Sequence, residues 1–206
     1  DPKTKECVKP YHNSADVNAG GPHGGNPAAT DIDGGKMDGF IAAFRDGAKA
    51  CKGKSVDTPG CSLSKTPDVM GWHDAREIPN YWAYAKNFVL QDRMFEPIGS
   101  WSLPAHLFMI SAWSAKCSNA QDPMTCISEI NQPEKGLKSG GNQELNAWTD
   151  LTYLMYKNHV SWTYFVSTGN EADCENDAML CSAKKQNPGT PAIMNPLPYF
   201  TTVKQD

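Results

Sequence analysis

An α/β fold with a largely parallel sheet is what the sequence predicts, and three observations carry it. Four segments space their apolar residues as helices do. Two short apolar runs, Phe88-Val89-Leu90 and the β-branched, aromatic Val160 to Val166, each follow one of those helices, which is the order of helix–strand layering. The 17 glycines and 15 prolines among 206 residues place long ordered loops between modest elements. Only two strands are evident, so the sheet read this way is incomplete.

Taken in order, residues 1–33 read as loop, with Gly20 to Gly25 the most flexible stretch. Met37, Phe40, Ile41, Phe44 and Ala48 then share one helical face and predict a helix over 36–49. Pro79 suits the first turn of a second helix, whose apolar face of Tyr81, Trp82, Ala85 and Phe88 runs to about residue 87. Phe88-Val89-Leu90 follows as a buried strand. Pro104 opens a third helix carrying Leu107, Phe108 and Ile110. Trp148, Leu151, Leu154 and Met155 form a fourth stripe, and Val160 to Val166 is the clearest strand in the chain. Asn195 to Phe200 closes as extended loop.

With 39% hydrophobic and 20% charged residues the chain can bury a core and is not wholly disordered. Nineteen basic residues against 23 acidic ones, a net charge of −4 and a pI near 5.7 give no electrostatic footprint for nucleic acid. The longest apolar stretch, Leu107 to Trp113, is broken by Ser111 and is far too short to span a bilayer.

Six of the seven cysteines fall into local pairs, each bracketing a polar loop: Cys51 with Cys61, Cys117 with Cys126, and Cys174 with Cys181. Zinc sites want short Cys-x-x-Cys or His-x₃₋₅-His spacings, and none occurs, so disulfides are favoured over metal. Disulfides imply export, to the periplasm or outside the cell. The opening Asp1-Pro2-Lys3 is no signal peptide, so the expectation is that a leader was cleaved or that the sequence starts downstream of the true N-terminus. Cys7 is left over, a free thiol or one with a partner elsewhere.

Several common motifs fail. Asp31-Ile32-Asp33-Gly34-Gly35 lacks the spacing of a calcium loop. Gly20 to Gly25 has no following Lys-Ser/Thr, and no Gly-x-Ser-x-Gly elbow exists. Ser102 is more informative, because it joins a short strand to a helix and would sit just before the helix N-terminus, where backbone N–H groups could meet an anion. On local sequence alone the ordinary N-cap is the favoured reading. His23 lies among glycines and reads as a solvated loop histidine, while His106 reads as a satisfied helix-start or core histidine.

Gly35-Lys36-Met37-Asp38-Gly39-Phe40, Ile78-Pro79-Asn80-Tyr81-Trp82-Ala83-Tyr84-Ala85 with Phe88 and Asp92, and Ser102-Leu103-Pro104-Ala105-His106-Leu107-Phe108 together resemble the phosphoesterase family. That family holds bacterial phospholipases C and acid phosphatases of the alkaline-phosphatase-like superfamily. Ser161-Trp162 with Tyr164, and Asn195 to Phe200, resemble further family segments in the same order, so the likeness spans about residues 10–206. It implies part of an α/β/α sandwich and a single domain over 1–206, an internal portion of a larger phosphoesterase domain.

The resemblance also implies chemistry. A metal-bound Ser or Thr attacks phosphorus in a phosphate ester, and a phosphoenzyme forms that water then hydrolyses. In the family the nucleophile lies in Gly-Pro-Thr-x-Pro-Asn; the matching residues are Ser100, Trp101, Ser102, Leu103, Pro104 and Ala105, which gives Ser102 the roles of nucleophile and metal ligand. His23 matches an active-site histidine near the phosphate, with His106, Lys36 and Asp38 as supporting residues. The family's Glu-Asn-x-Ser-Phe-Asp motif and its paired aspartates are missing. Most ligands of the divalent cation are therefore expected on the remainder of a parent polypeptide, and the chain alone is expected to turn over phospholipid or phosphomonoester substrates weakly or not at all. The alternative is a non-catalytic extracellular binding or structural module on the same scaffold.

Overall fold

The computed structural model describes residues 1–16, 18, 21–53, 67–135, 146–169, 185–189 and 191–204. They belong to two compact units, Asp1–Glu96 and Pro97–Asp206.

In the first unit, β1 (Tyr11–His12) runs parallel to β2 (Gly71–Trp72), with Tyr11 opposite Gly71 and His12 opposite Trp72. A helix, α1 (Gly25–Ile32), occupies a stretch read from the sequence as loop. It ends where Asp33, Gly34 and Gly35 take positive φ values of 39°, 65° and 97°. Met37 is also left-handed, at φ 55°, so helix geometry cannot persist through 36–39. The next helix, α2 (Phe40–Ala48), consequently starts four residues later than its apolar spacing suggests. Ile41, Ala42, Ala43 and Phe44 bury its inner face, while Met37 stays 56% exposed. Gly39 makes the α1–α2 corner possible: a Cβ there would lie 1.7 Å from the Thr30 carbonyl oxygen.

The helix expected after Pro79 forms as α3 (Pro79–Asn87), with Pro79 in its first turn. Its apolar face is not buried, for Tyr81 is 71% and Trp82 42% exposed. The strand expected at Phe88-Val89-Leu90 does not form either, and all three side chains are exposed. A strand needs a neighbour for its N–H and C=O groups, and none of the described strands pairs with this run.

In the second unit, α4 (Ser102–Ser111) begins two residues before Pro104. Pro104 is tolerated there because an N–H in the first turn has no helical carbonyl to bond. Ala112 ends the helix in the left-handed region, at φ 56°. The chain then forms an antiparallel pair, β3 (Ala115–Cys117) with β4 (Cys126–Ser128), whose Cys117 and Cys126 lie opposite each other and are joined as a disulfide. The last helix, α5 (Leu151–Lys157), is capped by Asp150, whose carboxylate accepts the Thr152 N–H at 2.8 Å. Trp148 precedes this helix rather than joining it, and packs its ring 5.1 Å from Trp113 and 5.4 Å from Phe200. These rings, with Trp101, Leu103, Leu107, Ala115, Cys117 and Ile193, make the core of the unit.

Val160 to Val166 is no strand: it lacks a ladder, and Phe165 is 89% exposed. The mixture of helix and strand is that of an α/β chain. The largely parallel sheet is absent among the described residues, where one parallel and one antiparallel pair are the only sheets.

Of the three expected disulfides, the described residues contain one in full, Cys117 with Cys126. Cys51 is also disulfide-bonded, but its expected partner, Cys61, lies outside the described residues. Cys174 lies outside them as well, and so does Cys181, so the bond expected between Cys174 and Cys181 is not among those the structure describes. Cys7 is an exposed free thiol.

Candidate functional site

Ser102 is the first residue of α4, not the cap before it. Trp101 takes the N-cap position in extended backbone, at φ −91° and ψ −178°. The first intrahelical bond is donated by the Ala105 N–H to the Trp101 carbonyl, at 3.4 Å. The N–H groups of Ser102 and Leu103 thus precede the helical ladder, and Pro104 has none, so the helix start directs its positive dipole end past a half-buried serine.

The position of this serine is fixed from both sides. The Ser100 hydroxyl donates to the Ile130 carbonyl, and the Trp101 indole N–H donates to the Asn131 carbonyl at 2.9 Å. Trp101, Leu103 and Leu107 are all at most 5% exposed. Each fully buried Leu contributes about 1.5–3 kcal/mol through area removed from water, so α4 is anchored, while Ser102 and His106, both half-buried, lie one turn apart on an adjacent face.

His106 Nδ1 lies 2.6 Å from the Ile193 carbonyl oxygen. A carbonyl only accepts, so Nδ1 carries the hydrogen and the neutral ring keeps its lone pair on Nε2.

The remaining expected site residues belong to the first unit. His23 is exposed just before α1, and its Nδ1–H donates to the Gly21 carbonyl at 2.8 Å, which again leaves the lone pair on Nε2. Gly21 lines a cleft of about 250 Å³ with Asn13, Asn18, Asp68, Gly71 and His73. Lys36 is exposed and pairs with Asp33 at 3.1 Å. That hydrogen bond holds the Asp33 carboxyl below its usual range and raises the Lys36 ammonium above its own. Asp38 is half-buried beside the left-handed Met37. The structure therefore gathers Ser102 with His106 on one helix face, and engages Lys36 with Asp33 rather than with His23.

One constellation was not anticipated. His12 Nε2 lies 2.9 Å from Glu77 Oε2 and 3.9 Å from Asp74 Oδ2. These three donor atoms all lie within 4.8 Å of one another, and no other such group of His, Cys, Asp or Glu occurs among the described residues. Arg76 Nη2 holds Asp74 Oδ2 at 2.8 Å, and this side-chain bond, with the Arg76 backbone N–H, brings the Asp74 carboxyl down to about 2. The sequence carried half of the signal, because Asp74-x-x-Glu77 ahead of Pro79 is a capping-box pattern. The histidine, 65 residues before Glu77, carried none.

No donor set of this kind gathers at Ser102 among the described residues. No helix among the described residues is long and apolar enough to cross a membrane.

No curated protein and no solved structure matches the chain. The family profile described as Phosphoesterase family matches residues 3–204. With the serine-led helix start already in place, a match over nearly the whole sequence settles the affiliation: this chain belongs to the phosphoesterase family, whose general activity is the hydrolysis of phosphoric esters.

Proposed function

We propose that Ser102 is the nucleophile of a metal-dependent phosphoric ester hydrolase of phospholipase C or acid phosphatase type. The observation that carries this reading is a half-buried serine at the first position of a firmly anchored helix, in a chain of the phosphoesterase family. Ser102 Oγ attacks phosphorus, its hydroxyl proton passes to His106 Nε2, and the bond from phosphorus to the ester oxygen breaks. The alcohol leaves with the proton taken up by His106, and water then cleaves the serine–phosphate bond, giving inorganic phosphate from a phosphomonoester or a phosphorylated head group from a phospholipid. The helix-start N–H groups of Ser102 and Leu103 stabilise charge on the phosphoryl oxygens. A divalent cation, when bound, favours the serine alkoxide. Its further ligands are expected beyond the described donor sets, and His23 is assigned to the phosphate by family resemblance alone.

The fold proposed is part of an alkaline-phosphatase-like sandwich, and the compartment is periplasmic or extracellular, in keeping with the Cys117–Cys126 disulfide. The second reading, a non-catalytic module, is favoured by the lack of a three-donor cluster at Ser102 among the described residues. Hydrolysis of p-nitrophenyl phosphate and of a phosphatidylcholine substrate, with added divalent cation, separates the two. The nucleophile reading expects Ser102→Ala to lose at least about 10³-fold in turnover with an unchanged Tm. Turnover that survives the substitution contradicts it, and a wild-type chain with none supports the non-catalytic module.

A further inference from the structure

His12 arrives from one segment of the first unit, and Asp74 and Glu77 from another. His12 is on β1 and faces Trp72 across the parallel pair, with the two rings 4.7 Å apart. The chain leaves β2 through His73 into a turn, in which the Glu77 and Ile78 N–H groups both reach the Asp74 carbonyl. Within this turn Asp74 Oδ1 accepts the Arg76 N–H at 2.9 Å, and Glu77 Oε2 accepts the Asp74 N–H at 3.1 Å.

The turn itself explains why the two carboxylates lie together. It does not explain the imidazole, which turns one nitrogen toward both. Nε2 can hold only one proton or one lone pair, yet it faces carboxylate oxygens at 2.9 and 3.9 Å. Donors around a small dication with bonds of about 2.0–2.2 Å stand roughly 3–3.6 Å apart, so these distances bracket that spacing. One nitrogen with two oxygens suits borderline first-row dications better than calcium or magnesium. The backbone N–H bonds to both carboxylates are the kind of outer contact that orients ligands before a metal arrives. The side chains are 25%, 31% and 13% exposed, so an ion could enter and keep water in its open positions.

We propose that His12, Asp74 and Glu77 bind one zinc-class divalent cation, which fastens β1 to the turn leading into α3. This site is independent of the Ser102 reading. Arg76 is its built-in competitor, since it holds the Asp74 oxygen nearer to His12.

The test titrates Zn²⁺ into the purified full chain by calorimetry and follows Tm with and without Zn²⁺. The wild type is expected to bind with saturation and to rise in Tm. His12→Ala should bind at least about 10-fold more weakly and lose the Tm rise, whereas Met124→Ala, at an exposed position outside both sites, should behave as wild type. Because His12 lies outside the Asp74–Glu77 turn, its removal spares the turn's own hydrogen bonds. Arg76→Ala, which frees Asp74, should bind as tightly as wild type or more so. Absence of saturable binding, undiminished binding by His12→Ala, or loss of binding in Arg76→Ala with its fold intact would each overturn the proposal.

Discussion

At the scale of single residues, Glu6 and Arg45 show how an exposed charge pair ties a terminus down. Arg45, on the last turn of α2, donates through Nε and Nη2 to the two oxygens of Glu6. Chiefly through this side-chain bond, the Glu6 carboxyl is held below its usual range. A carboxyl with a depressed folded pKa adds stability above the ordinary glutamate range and loses it as pH falls through the folded value. Glu6→Gln should therefore lower Tm slightly at pH 7, and the difference from wild type should vanish once the pH is below the folded pKa of Glu6; an equal difference at both pH values would contradict this assignment. Ser102 was legible as a residue of interest because a serine before Leu-Pro sits near a helix start, and the family likeness gave it a role. Its place as first helical residue was not legible, because Trp101 has no side-chain oxygen to mark it as the cap. His12 could not have been chosen, since nothing local distinguishes it from the other histidines and its partners follow only after a fold has formed.

At the scale of elements, four of the helices were legible, while α1 and the strands were not. A helix satisfies its own backbone, so the apolar spacing around Phe40, Ile41 and Phe44 and the proline at 79 sufficed to find α2 and α3. A strand is completed by a neighbour that its own residues do not specify, and Phe88-Val89-Leu90 and Val160 to Val166 have none among the described strands. The boundary of α2 went astray because apolar spacing does not reveal left-handed backbone, and Met37 at φ 55° ends the helical path. Gly39 is the element-level feature with the sharpest consequence. A methyl there would meet the Thr30 backbone at 1.7 Å, so α1 and α2 must separate to admit it. Gly39→Ala should destabilise the chain by about 1–3 kcal/mol, measured by urea denaturation. A value near zero would mean that the corner opens freely.

At the scale of the whole molecule, the family was readable because several motifs occur in series, and the profile match over residues 3–204 bears that out. The sheet architecture was not readable from a chain whose described strands are so short. Cross-linking adds to stability at this scale. Local cysteine spacing was enough to find the bond between Cys117 and Cys126, while the pairings expected for Cys61, for Cys174 and for Cys181 fall outside the described residues. Cys117 and Cys126 are nine positions apart, and closing a loop of that size contributes about 2–3 kcal/mol on the chain-entropy account. Cys117→Ala/Cys126→Ala should lose that amount in chemical denaturation, and a double variant as stable as wild type would show that β3 and β4 hold without the bond. The central claim concerns chemistry, and the most direct measurement is mass spectrometry of peptides from the chain quenched during turnover of p-nitrophenyl phosphate. The account predicts a phosphoryl group on the peptide containing Ser102, absent in Ser102→Ala. Turnover without any phosphoryl on that peptide, or with the label on another residue, would contradict it.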